Sequence, residues 1–296
     1  MRDSFTTFHP IVNITYFIAV LLFSMFFMHP IFLGIGFISA YSYSFIQKGR
    51  DALKFNILYM LPMLVFMAIL NPAFNHEGVT ILFYLKSGNP ITLESIIYGL
   101  ATASMFVTVI VWFSCYNVVM TSDKFIYLFG KIIPALSLIF SMVLRFVPMY
   151  KAQIKKISDA QKCIGRDVSQ GNIIQKIRNG IKILSIMTTW ALENAIETAD
   201  SMRSRGYGLP NRTSFSLFRF DNRDRNTFMI MMGLIIIILL GAVAGQNTIR
   251  FFPSIKFAEL TFFSIAVYSA YFLLCMLPVI INIMEEVKWR HMELEI

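Results

Sequence analysis

The fold is decided by residues 150–210, which read YKAQIKKISDAQKCIGRDVSQGNIIQKIRNGIKILSIMTTWALENAIETADSMRSRGYGLP. Apolar residues recur in this stretch at steps of three and four, which is the spacing of one face of an α-helix. A break at Gln170-Gly171-Asn172 divides the pattern, and Gly206-Tyr207-Gly208-Leu209-Pro210 stops it. The stretch therefore predicts two successive amphipathic helices, each far longer than the average of about three to four turns.

The first of these helices extends upstream to Pro134, a residue type that fits the first turn of a helix. Its apolar face comprises Leu138, Met142, Phe146 (or Met149), Ile154, Ile157, Ala160 and Ile164. Gly165 ends the pattern, and Pro148 is expected to bend a helix of about 45 Å. The second helix carries the stripe Ile173, Ile177, Ile181, Leu184, Met187, Ala191, Ala195, Ala199 and Met202. We expect the pair to form a helical hairpin, to transmit lateral force beneath a membrane, or to do both.

The composition is that of a membrane protein. Hydrophobic residues make up 56% of the 296 residues and charged residues only 15%, whereas soluble domains contain about 25% charged residues. The mean hydropathy is +0.64. The three cysteines (Cys115, Cys163 and Cys275) are far apart and match neither a disulfide framework nor a Cys-x-x-Cys metal site. No small-residue cleavage site follows the first apolar run, so we do not expect a cleavable signal peptide.

Six segments are apolar and long enough to be read as membrane-spanning helices, for which about 20 residues are typical. They are residues 10–28, 31–47, Phe55–Asn75, Ser95–Ser122, Thr227–Gly245 and Leu260–Met284. The first two form one uncharged run that His29-Pro30 splits with a very tight turn, and Pro278 is expected to kink the last. The predicted fold is an all-α membrane protein with about six spans and a cytoplasmic module of two long amphipathic coupling helices.

A further apolar run, Ile132–Leu144, is only 13 residues long and is bounded by Lys131 and Arg145. Runs of that length more often lie at the membrane interface or against other helices than span a bilayer. We therefore interpret it as an interfacial segment. A seventh span remains the alternative, and it would invert the last two spans.

Basic residues predict the orientation. Residues 121–225 contain 17 of the 26 Lys and Arg residues, and with Arg2, the 48–54 loop and the C-terminus they place 23 on one side. The other side has Lys86, Arg250 and Lys256. The positive-inside rule then places both termini and residues 122–225 in the cytoplasm of a bacterial cell, beneath a multi-pass membrane domain. Residues 1–121 would hold spans one to four and residues 226–296 spans five and six. Because topology explains the net charge of +9, nucleic-acid binding is not expected.

Each long helix ends in small and basic residues. The first gives Ala160-Gln161-Lys162-Cys163-Ile164-Gly165-Arg166, and the second gives Ser201-Met202-Arg203-Ser204-Arg205-Gly206. An arginine between small residues can enter a partner's groove and bind a carboxylate through two hydrogen bonds. The alternative is that Arg205 only complements the negative end of the helix dipole.

These residues resemble the transmembrane T component of energy-coupling factor transporters, a family that includes the T component of cobalt transporters. In that family two long cytoplasmic coupling helices each end in an Ala-Arg-Gly-like motif that docks into an ATPase subunit. Ser204-Arg205-Gly206 is close to the motif, with Ser204 in place of alanine. At the first end the alignment places Cys163-Ile164-Gly165 on the motif, so that either Ile164 or the neighbouring Arg166 marks the docking position.

Other segments of the chain agree with the same family. They are His9-Pro10, Asn71-Pro72 with residues 75–78, Pro90–Glu94, and Leu144-Arg145-Phe146-Val147-Pro148 at the entry to the first coupling helix. The resemblance implies an importer of vitamins or metal ions whose partners are two ATPase subunits, identical or different, a membrane substrate-binding S component, and lipid. It implies no cofactor and no catalytic residue in this chain.

The sequence contains no Gly-x-x-x-x-Gly-Lys-[Ser/Thr] motif, so ATP hydrolysis would have to be supplied by partner chains and the chain itself is expected not to be an enzyme. The four histidines are scattered and lack metal-ligand spacing. A self-sufficient secondary transporter is the main alternative, although ionisable residues near the middle of spans, which mark such carriers, are not evident. A membrane enzyme is less favoured, since residues 150–210 lack a paired nucleophile and base.

Overall fold

A computed structural model describes residues 3–84, 90–209, 218–257 and 261–294. The chain divides into two compact units. The membrane unit comprises Met1–Phe125 and Phe218–Ile296, and the platform unit comprises Ile126–Leu217. Four residues of the sequence analysis lie outside the described ranges: Arg2, Lys86, Pro210 and Leu260.

The membrane unit is built almost entirely from helices. A short 3₁₀ turn, Ser4–Thr7, precedes them. They are α1 (Pro10–Phe26), α2 (Pro30–Lys48), α3 (Arg50–Phe55), α4 (Leu61–Phe74), α5 (Leu93–Val119), α9 (Asn222–Val243) and α10 (Phe262–Leu294), while α6 (Ser122–Ile132) leads into the platform unit. A single π-helical turn, Asn56–Met60, joins α3 to α4, so that one continuous helix runs from Arg50 to Phe74.

The prediction of an all-α membrane protein is confirmed. Four helices in the described residues are long and apolar enough to cross a bilayer: Arg50–Phe74, Leu93–Val119, Asn222–Val243 and Phe262–Met292. The 17-residue helix α1 is apolar but shorter, and α2 coincides with the second predicted span. His29 accepts a hydrogen bond from the amide of Ile31 and Pro30 opens α2, which explains the tight turn between the first two helices.

Two short antiparallel strand pairs, which the sequence did not predict, occupy connections between these helices. β1 (Ile81–Tyr84) pairs with β2 (Pro90–Thr92), and β3 (Ile249–Arg250) pairs with β4 (Lys256–Phe257). The first hairpin is fastened to the start of α5 by Glu94, whose carboxylate accepts hydrogen bonds from the amide and hydroxyl of Thr80. Glu94 therefore has a structural role, because it joins the β1–β2 pair to α5.

The core of the membrane unit is aromatic. Trp112 on α5 is fully buried, and its ring centroid lies 6.0 Å from that of Tyr16 on α1 and 6.1 Å from that of Tyr43 on α2. Tyr16 donates a hydrogen bond to the carbonyl oxygen of Cys275 on α10 at 3.0 Å. One cluster of large side chains thus joins α1, α2, α5 and α10, and aromatic pairs of this geometry stabilise a core beyond their buried area.

Asp3 anchors the N-terminal segment to two helices. Its Oδ2 accepts hydrogen bonds from the Tyr43 hydroxyl at 2.8 Å and from Gln47 Nε2 at 3.0 Å, both on α2. Its Oδ1 accepts one from Asn282 Nδ2 on α10 at 2.8 Å, while Asn282 Oδ1 accepts from the amide of Ser4. The carboxylate therefore holds the segment against the C-terminal end of α2 and against the second half of α10.

Lys124, in the first turn of α6, is buried against the same segment. Its side chain is 5% exposed, and Nζ donates a hydrogen bond to the carbonyl oxygen of Thr6 at 2.5 Å. With the Asn13 amide oriented to satisfy its neighbours, Asn13 Oδ1 accepts a second hydrogen bond from Nζ at 2.6 Å. Burial lowers the pKa of Lys124 to about 8, an effect that the nearby Asp3 carboxylate partly offsets.

The platform unit consists mainly of two long helices, as predicted. Helix α7 spans Pro134–Cys163 and continues through Pro148, and α8 spans Ile173–Ser204. Asn172 caps α8 in a capping box with Gln175, which explains why the break at residues 170–172 starts a new helix. In the run 132–144, Ile132 is the last residue of α6 and residues 134–144 begin α7. Helix α7 is not one of the four long apolar helices named above. The interfacial position of the run remains a prediction.

The predicted stripe of α8 is not, as a whole, the face that packs on α7. The contact consists of Ile157 on α7 with Ile183 and Met187 on α8, flanked by Tyr150 and Trp190, whose ring centroids lie 5.6 Å apart. Met187 is the member of the predicted stripe in this buried cluster. The members Ile173, Ile177, Ile181 and Leu184 are 57–72% exposed. The helices form a hairpin, but much of the apolar face of α8 is exposed in the part of the chain that the structure describes.

We expect Gly99→Ala to destabilise the membrane unit. A Cβ at Gly99 on α5 would lie 2.8 Å from the carbonyl oxygen of Ala68 on α4, so that backbone must move to admit it. Overpacking of this kind costs about 1–3 kcal/mol, which a lower Tm of the purified protein would show. Gly34→Ala is the control, because nothing lies within 4 Å of a Cβ there. Equal Tm values for the two variants would contradict the close packing of α4 on α5.

We expect the free energy of unfolding of the wild type to rise as the pH increases above about 8, because Lys124 loses its proton at a lower pH in the folded chain than in the unfolded chain. The unfolded lysine has a pKa of about 10.4 and the folded one a pKa of about 8. Between these values the unfolded chain binds more protons, so raising the pH favours the folded chain. The measurement is the difference in free energy of unfolding between wild type and Lys124→Met from pH 7 to 10.5. A difference that does not change with pH would show that burial leaves the lysine unperturbed.

Candidate functional site

The end of α8 presents Arg205 on a rigid turn. Arg205 is the residue at which the helix ends, and its side chain is exposed. The amide of Gly206 donates a hydrogen bond to the carbonyl oxygen of Arg203 at 3.0 Å, and the amide of Tyr207 donates one to that of Met202 at 3.0 Å. This pair of bonds is the Schellman motif, which satisfies carbonyls that a helix end otherwise leaves unpaired. The backbone under Arg205 is thus fixed by hydrogen bonds.

The residues on either side of Arg205 contribute to this turn. Gly206 has φ +80°, a left-handed conformation that is unfavourable for residues with a Cβ. The Ser204 hydroxyl donates a hydrogen bond to the carbonyl oxygen of Ser201 at 2.9 Å. Small side chains before and after Arg205 therefore leave its guanidinium accessible.

The end of α7 has the same backbone geometry. The amide of Gly165 donates to the carbonyl oxygen of Lys162 at 3.0 Å, the amide of Arg166 donates to that of Gln161 at 2.9 Å, and Gly165 has φ +74°. Position by position, Cys163 corresponds to Ser204, Ile164 to Arg205, Gly165 to Gly206, and Arg166 to Tyr207. The sequence left open whether Ile164 or Arg166 matches Arg205, and by backbone geometry the match is Ile164.

A cleft of about 540 Å³ lies between α7 and α8 beside Arg205. Arg205 and Tyr207 line it from the end of α8, and Arg145 and Phe146 line it from α7. The structure therefore brings the start of the Arg-Phe-x-Pro stretch close to the turn at Arg205, which sequence spacing could not reveal. Two guanidinium groups face this cleft, together with the carboxylate of Glu197.

The loop after α7 is held by Asp167. Its Oδ1 accepts a hydrogen bond from the amide of Ser169 at 2.9 Å, its Oδ2 lies 3.7 Å from Lys162 Nζ, and its carbonyl oxygen accepts a hydrogen bond from Asn179 Nδ2 on α8 at 3.1 Å. The hydrogen bond from Ser169 is the main cause that lowers the pKa of Asp167. Contacts of Asp167 with Lys162 before Ile164 and Arg166, and with Ser169 and Asn179 after them, therefore fix this part of the chain.

The two helix ends lie far apart. The end of α7 shares a cavity with Gln175 and Arg178 in the first turns of α8, whereas Arg205 follows the last turn of α8. Helix α8 has 32 residues, and at 1.5 Å per residue it separates the two ends by about 48 Å. Within the described residues, no three His, Cys, Asp or Glu side chains are grouped so that they could hold a metal ion. The arrangement suits recognition of partner surfaces at two separate points.

Comparison with known proteins identifies a family over most of the chain. The model of the family CbiQ, described as cobalt transport protein, matches residues 6–215. This region includes α1 to α8 and both helix ends.

Individual relatives match over shorter segments. The energy-coupling factor transporter transmembrane protein EcfT of Lacticaseibacillus paracasei is 32% identical over 107 residues, 35% of this chain and 40% of the relative. The EcfT proteins of Staphylococcus aureus and Streptococcus thermophilus are 33% identical over 111 residues and 35% identical over 100 residues. These two matches cover 37% and 33% of this chain and 41% and 38% of the relatives. The matched segments thus span about two fifths of the relatives' lengths.

We expect Gly206→Ala to loosen the turn that carries Arg205. A residue with a Cβ in the left-handed conformation costs about 1–2 kcal/mol, so the amide of Tyr207 should exchange its hydrogen about 5–30 times faster. Hydrogen exchange followed by mass spectrometry measures this locally. Gly180→Ala, in the interior of α8 with open space around it, is the control and should not accelerate exchange. Unchanged exchange at Tyr207 in Gly206→Ala would show that the turn does not depend on glycine.

Proposed function

The chain belongs to the CbiQ family of cobalt transport proteins, and from this membership we propose that it is the transmembrane T component of an energy-coupling factor importer. In this role it docks two ATPase subunits and transmits their movement to a substrate-binding S component. The relatives named as transmembrane proteins of energy-coupling factor transporters support the role. The chain itself is a multi-pass membrane subunit of a transporter.

The observation that carries the proposal is the exposed Arg205 on its hydrogen-bonded turn, inside the region that the family model matches. A guanidinium held on a fixed backbone loses little conformational freedom when it binds, so it is suited to pairing with a carboxylate in a partner's groove. Ser204 and Gly206 would let the partner's backbone approach, while Arg145 and Tyr207 in the adjoining cleft extend the contact surface.

The energy source would be a pair of separate chains. This sequence contains no phosphate-binding Gly-x-x-x-x-Gly-Lys-[Ser/Thr] loop. Two docking points about 48 Å apart, as estimated from the length of α8, suit two ATPase subunits that approach and separate during hydrolysis. Cys163, Ile164, Gly165 and Arg166 form the second point of attachment.

The S component would bind the uncovered apolar face of α8. Ile173, Ile177 and Ile181 are exposed on it at helical spacing. Exposed apolar surface of this extent usually marks an interaction site. Movement of the helix ends would pass through the contact of Ile157 with Ile183 and Met187 and reorient a partner on this face. Both termini and residues 122–225 would lie in the cytoplasm, where ATP is available.

We expect Arg205→Glu to lower the amount of ATPase that copurifies with the chain. Removing one partner of a desolvated charge pair costs about 2–5 kcal/mol, which corresponds to a loss of roughly thirty-fold or more in affinity. The measurement is the ATPase-to-chain ratio after affinity purification from membranes, counting only chains whose peptides contain the phosphate-binding loop motif. Arg203→Glu is the matched control, because Arg203 is also an exposed arginine at this end.

Equal losses in Arg205→Glu and Arg203→Glu would mean that general charge, and not Arg205, attracts the ATPase. Full retention in Arg205→Glu would show that the anchor is misassigned. If the wild type itself captures no such ATPase and still drives uptake in vesicles, the chain is a self-sufficient carrier and the proposed function is wrong.

A further inference from the structure

A groove of about 440 Å³ lies between α9 and α10 in the membrane unit. Its walls are apolar side chains of both helices: Ile230, Leu234, Leu273, Leu277, Ile280 and Ile281. At one end it meets Arg223, in the first turn of α9, and Glu285 on α10. A cavity of this size, mostly hydrocarbon with a few polar groups at fixed places, has the character of a ligand site.

Contacts between the two helices bound the α9–α10 groove at both ends. Beyond its apolar end, a Cβ at Gly241 would lie 2.6 Å from Cγ2 of Val267, so α9 and α10 touch there. At its polar end, Arg223 Nη1 donates a hydrogen bond to Glu285 Oε1 at 2.9 Å. The groove is therefore a defined segment of the helix interface with one apolar end and one polar end.

The α9–α10 groove is about as long as one bilayer leaflet is deep. Arg223 to Leu234 covers about 17 Å of α9, and Leu273 to Glu285 covers about 18 Å of α10, at 1.5 Å per residue. Half of a hydrocarbon core of about 30 Å is about 15 Å. Averaged over its length, the volume of about 440 Å³ corresponds to a channel roughly 5–6 Å across, which is narrower than the 10–12 Å of an α-helix. The groove therefore suits a hydrocarbon chain better than another helix.

Arg223 is held in place at the polar end and still has hydrogen-bond donors available. Its Nη2 donates to Thr7 Oγ1 at 2.7 Å, and its guanidinium carbon lies 4.1 Å from the ring centroid of Phe8. Together with the bond to Glu285, the described residues use two of the five N–H groups of the guanidinium. The side chain is 49% exposed, so the remaining donors can bind a phosphate oxygen.

The polar end of the α9–α10 groove has an excess of positive charge. Lys288 lies four residues after Met284, which lines the groove, and residues at this spacing are neighbours on one side of a helix. Arg223 and Lys288 thus outnumber Glu285. The exposed Trp289 marks this end as the membrane surface, where tryptophan is enriched. Basic pockets between membrane helices bind anionic lipid headgroups.

From this arrangement we propose that the α9–α10 groove binds one anionic phospholipid. One acyl chain lies between Leu234 and Leu277, and the phosphate accepts hydrogen bonds from Arg223. Lys288 balances the second negative group or the net charge of the headgroup. The inference goes beyond the proposed function and does not depend on it, because it requires only that the membrane unit lie in a bilayer.

Lipid titration of the purified full-length chain tests the headgroup. Native mass spectrometry measures binding of phosphatidylglycerol and of phosphatidylethanolamine with the same acyl chains. We expect the wild type to bind the anionic lipid at least about ten-fold more tightly. Arg223→Gln should lose that ten-fold preference. Arg225→Gln is the matched control, since Arg225 is an exposed arginine of the same helical turn outside the groove, and it should bind as the wild type does.

Glu285→Gln separates lipid binding from a structural role of the ion pair. Removing the carboxylate frees the guanidinium and removes a charge that repels phosphate, so we expect phosphatidylglycerol to bind more tightly than to the wild type. Weaker binding in both Arg223→Gln and Glu285→Gln would show that the ion pair only holds the helices together, and the inference would be wrong. Equal binding of the two lipids by the wild type would also overturn it.

Filling the α9–α10 groove tests the position of the acyl chain. We expect Ile230→Trp to weaken phosphatidylglycerol binding at least about ten-fold, because the indole would occupy the groove. Met229→Trp is the control: Met229 is 57% exposed, against 60% for Ile230, but does not line the groove. Equal binding by the two variants would place the lipid elsewhere.

Cross-linking in intact membranes tests which molecule occupies the groove. A photoreactive p-benzoylphenylalanine at position 230 should form an adduct with the mass of a phospholipid. An adduct with a protein chain would show that this face of the membrane unit is a protein interface, and the inference would be wrong. Copurification of an ATPase is a separate measurement, so the proposed function can fail while the lipid site remains, and the reverse.

Discussion

Hydrocarbon offers no hydrogen-bond partner to a peptide group, so a chain that crosses a bilayer must satisfy its amides and carbonyls within its own helices. The membrane unit follows this constraint. Its helices continue through Pro72 and Pro278 and through the π-helical turn Asn56–Met60 without an interruption by non-helical backbone. The short strand pairs are confined to connections between helices. Polar backbone that is not helical is thereby kept away from the middle of the spans.

The same constraint explains where the polar anchors of the membrane unit lie. Asp3 and Lys124 are both at helix ends, and each meets several protein partners: Asp3 binds side chains of α2 and α10, and Lys124 binds the carbonyl of Thr6 and the amide oxygen of Asn13. Burying a charged group is unfavourable unless such partners replace water. The anchors can therefore fix the N-terminal segment without placing charge inside the apolar core around Trp112.

Much of this organisation could be predicted from local sequence. The lengths of apolar runs predicted α1, α2 and α5 to within three residues at each end and α4 and α9 to within six, and the glycine-containing breaks predicted the ends of α7 and α8. What could not be predicted depends on contacts distant in sequence. Lys124 resembles any other basic residue near a membrane, and its burial arises from a segment more than 100 residues away. Likewise, periodicity shows that α8 is amphipathic, but the face that meets α7 depends on where the helices touch.

The candidate site separates into a part that sequence predicts and a part that it does not. A Schellman turn requires a residue that tolerates positive φ after the helix, and Gly165 and Gly206 meet this requirement at both ends. The turn makes no demand on the side chain of the preceding residue, which points to solvent at both Ile164 and Arg205. That position can therefore change from cation to hydrocarbon without altering the fold of the platform unit. Because the fold places no requirement on the side chain at positions 164 and 205, its identity can matter only to a partner that binds there. The difference between Ile164 and Arg205 is therefore informative about the partners.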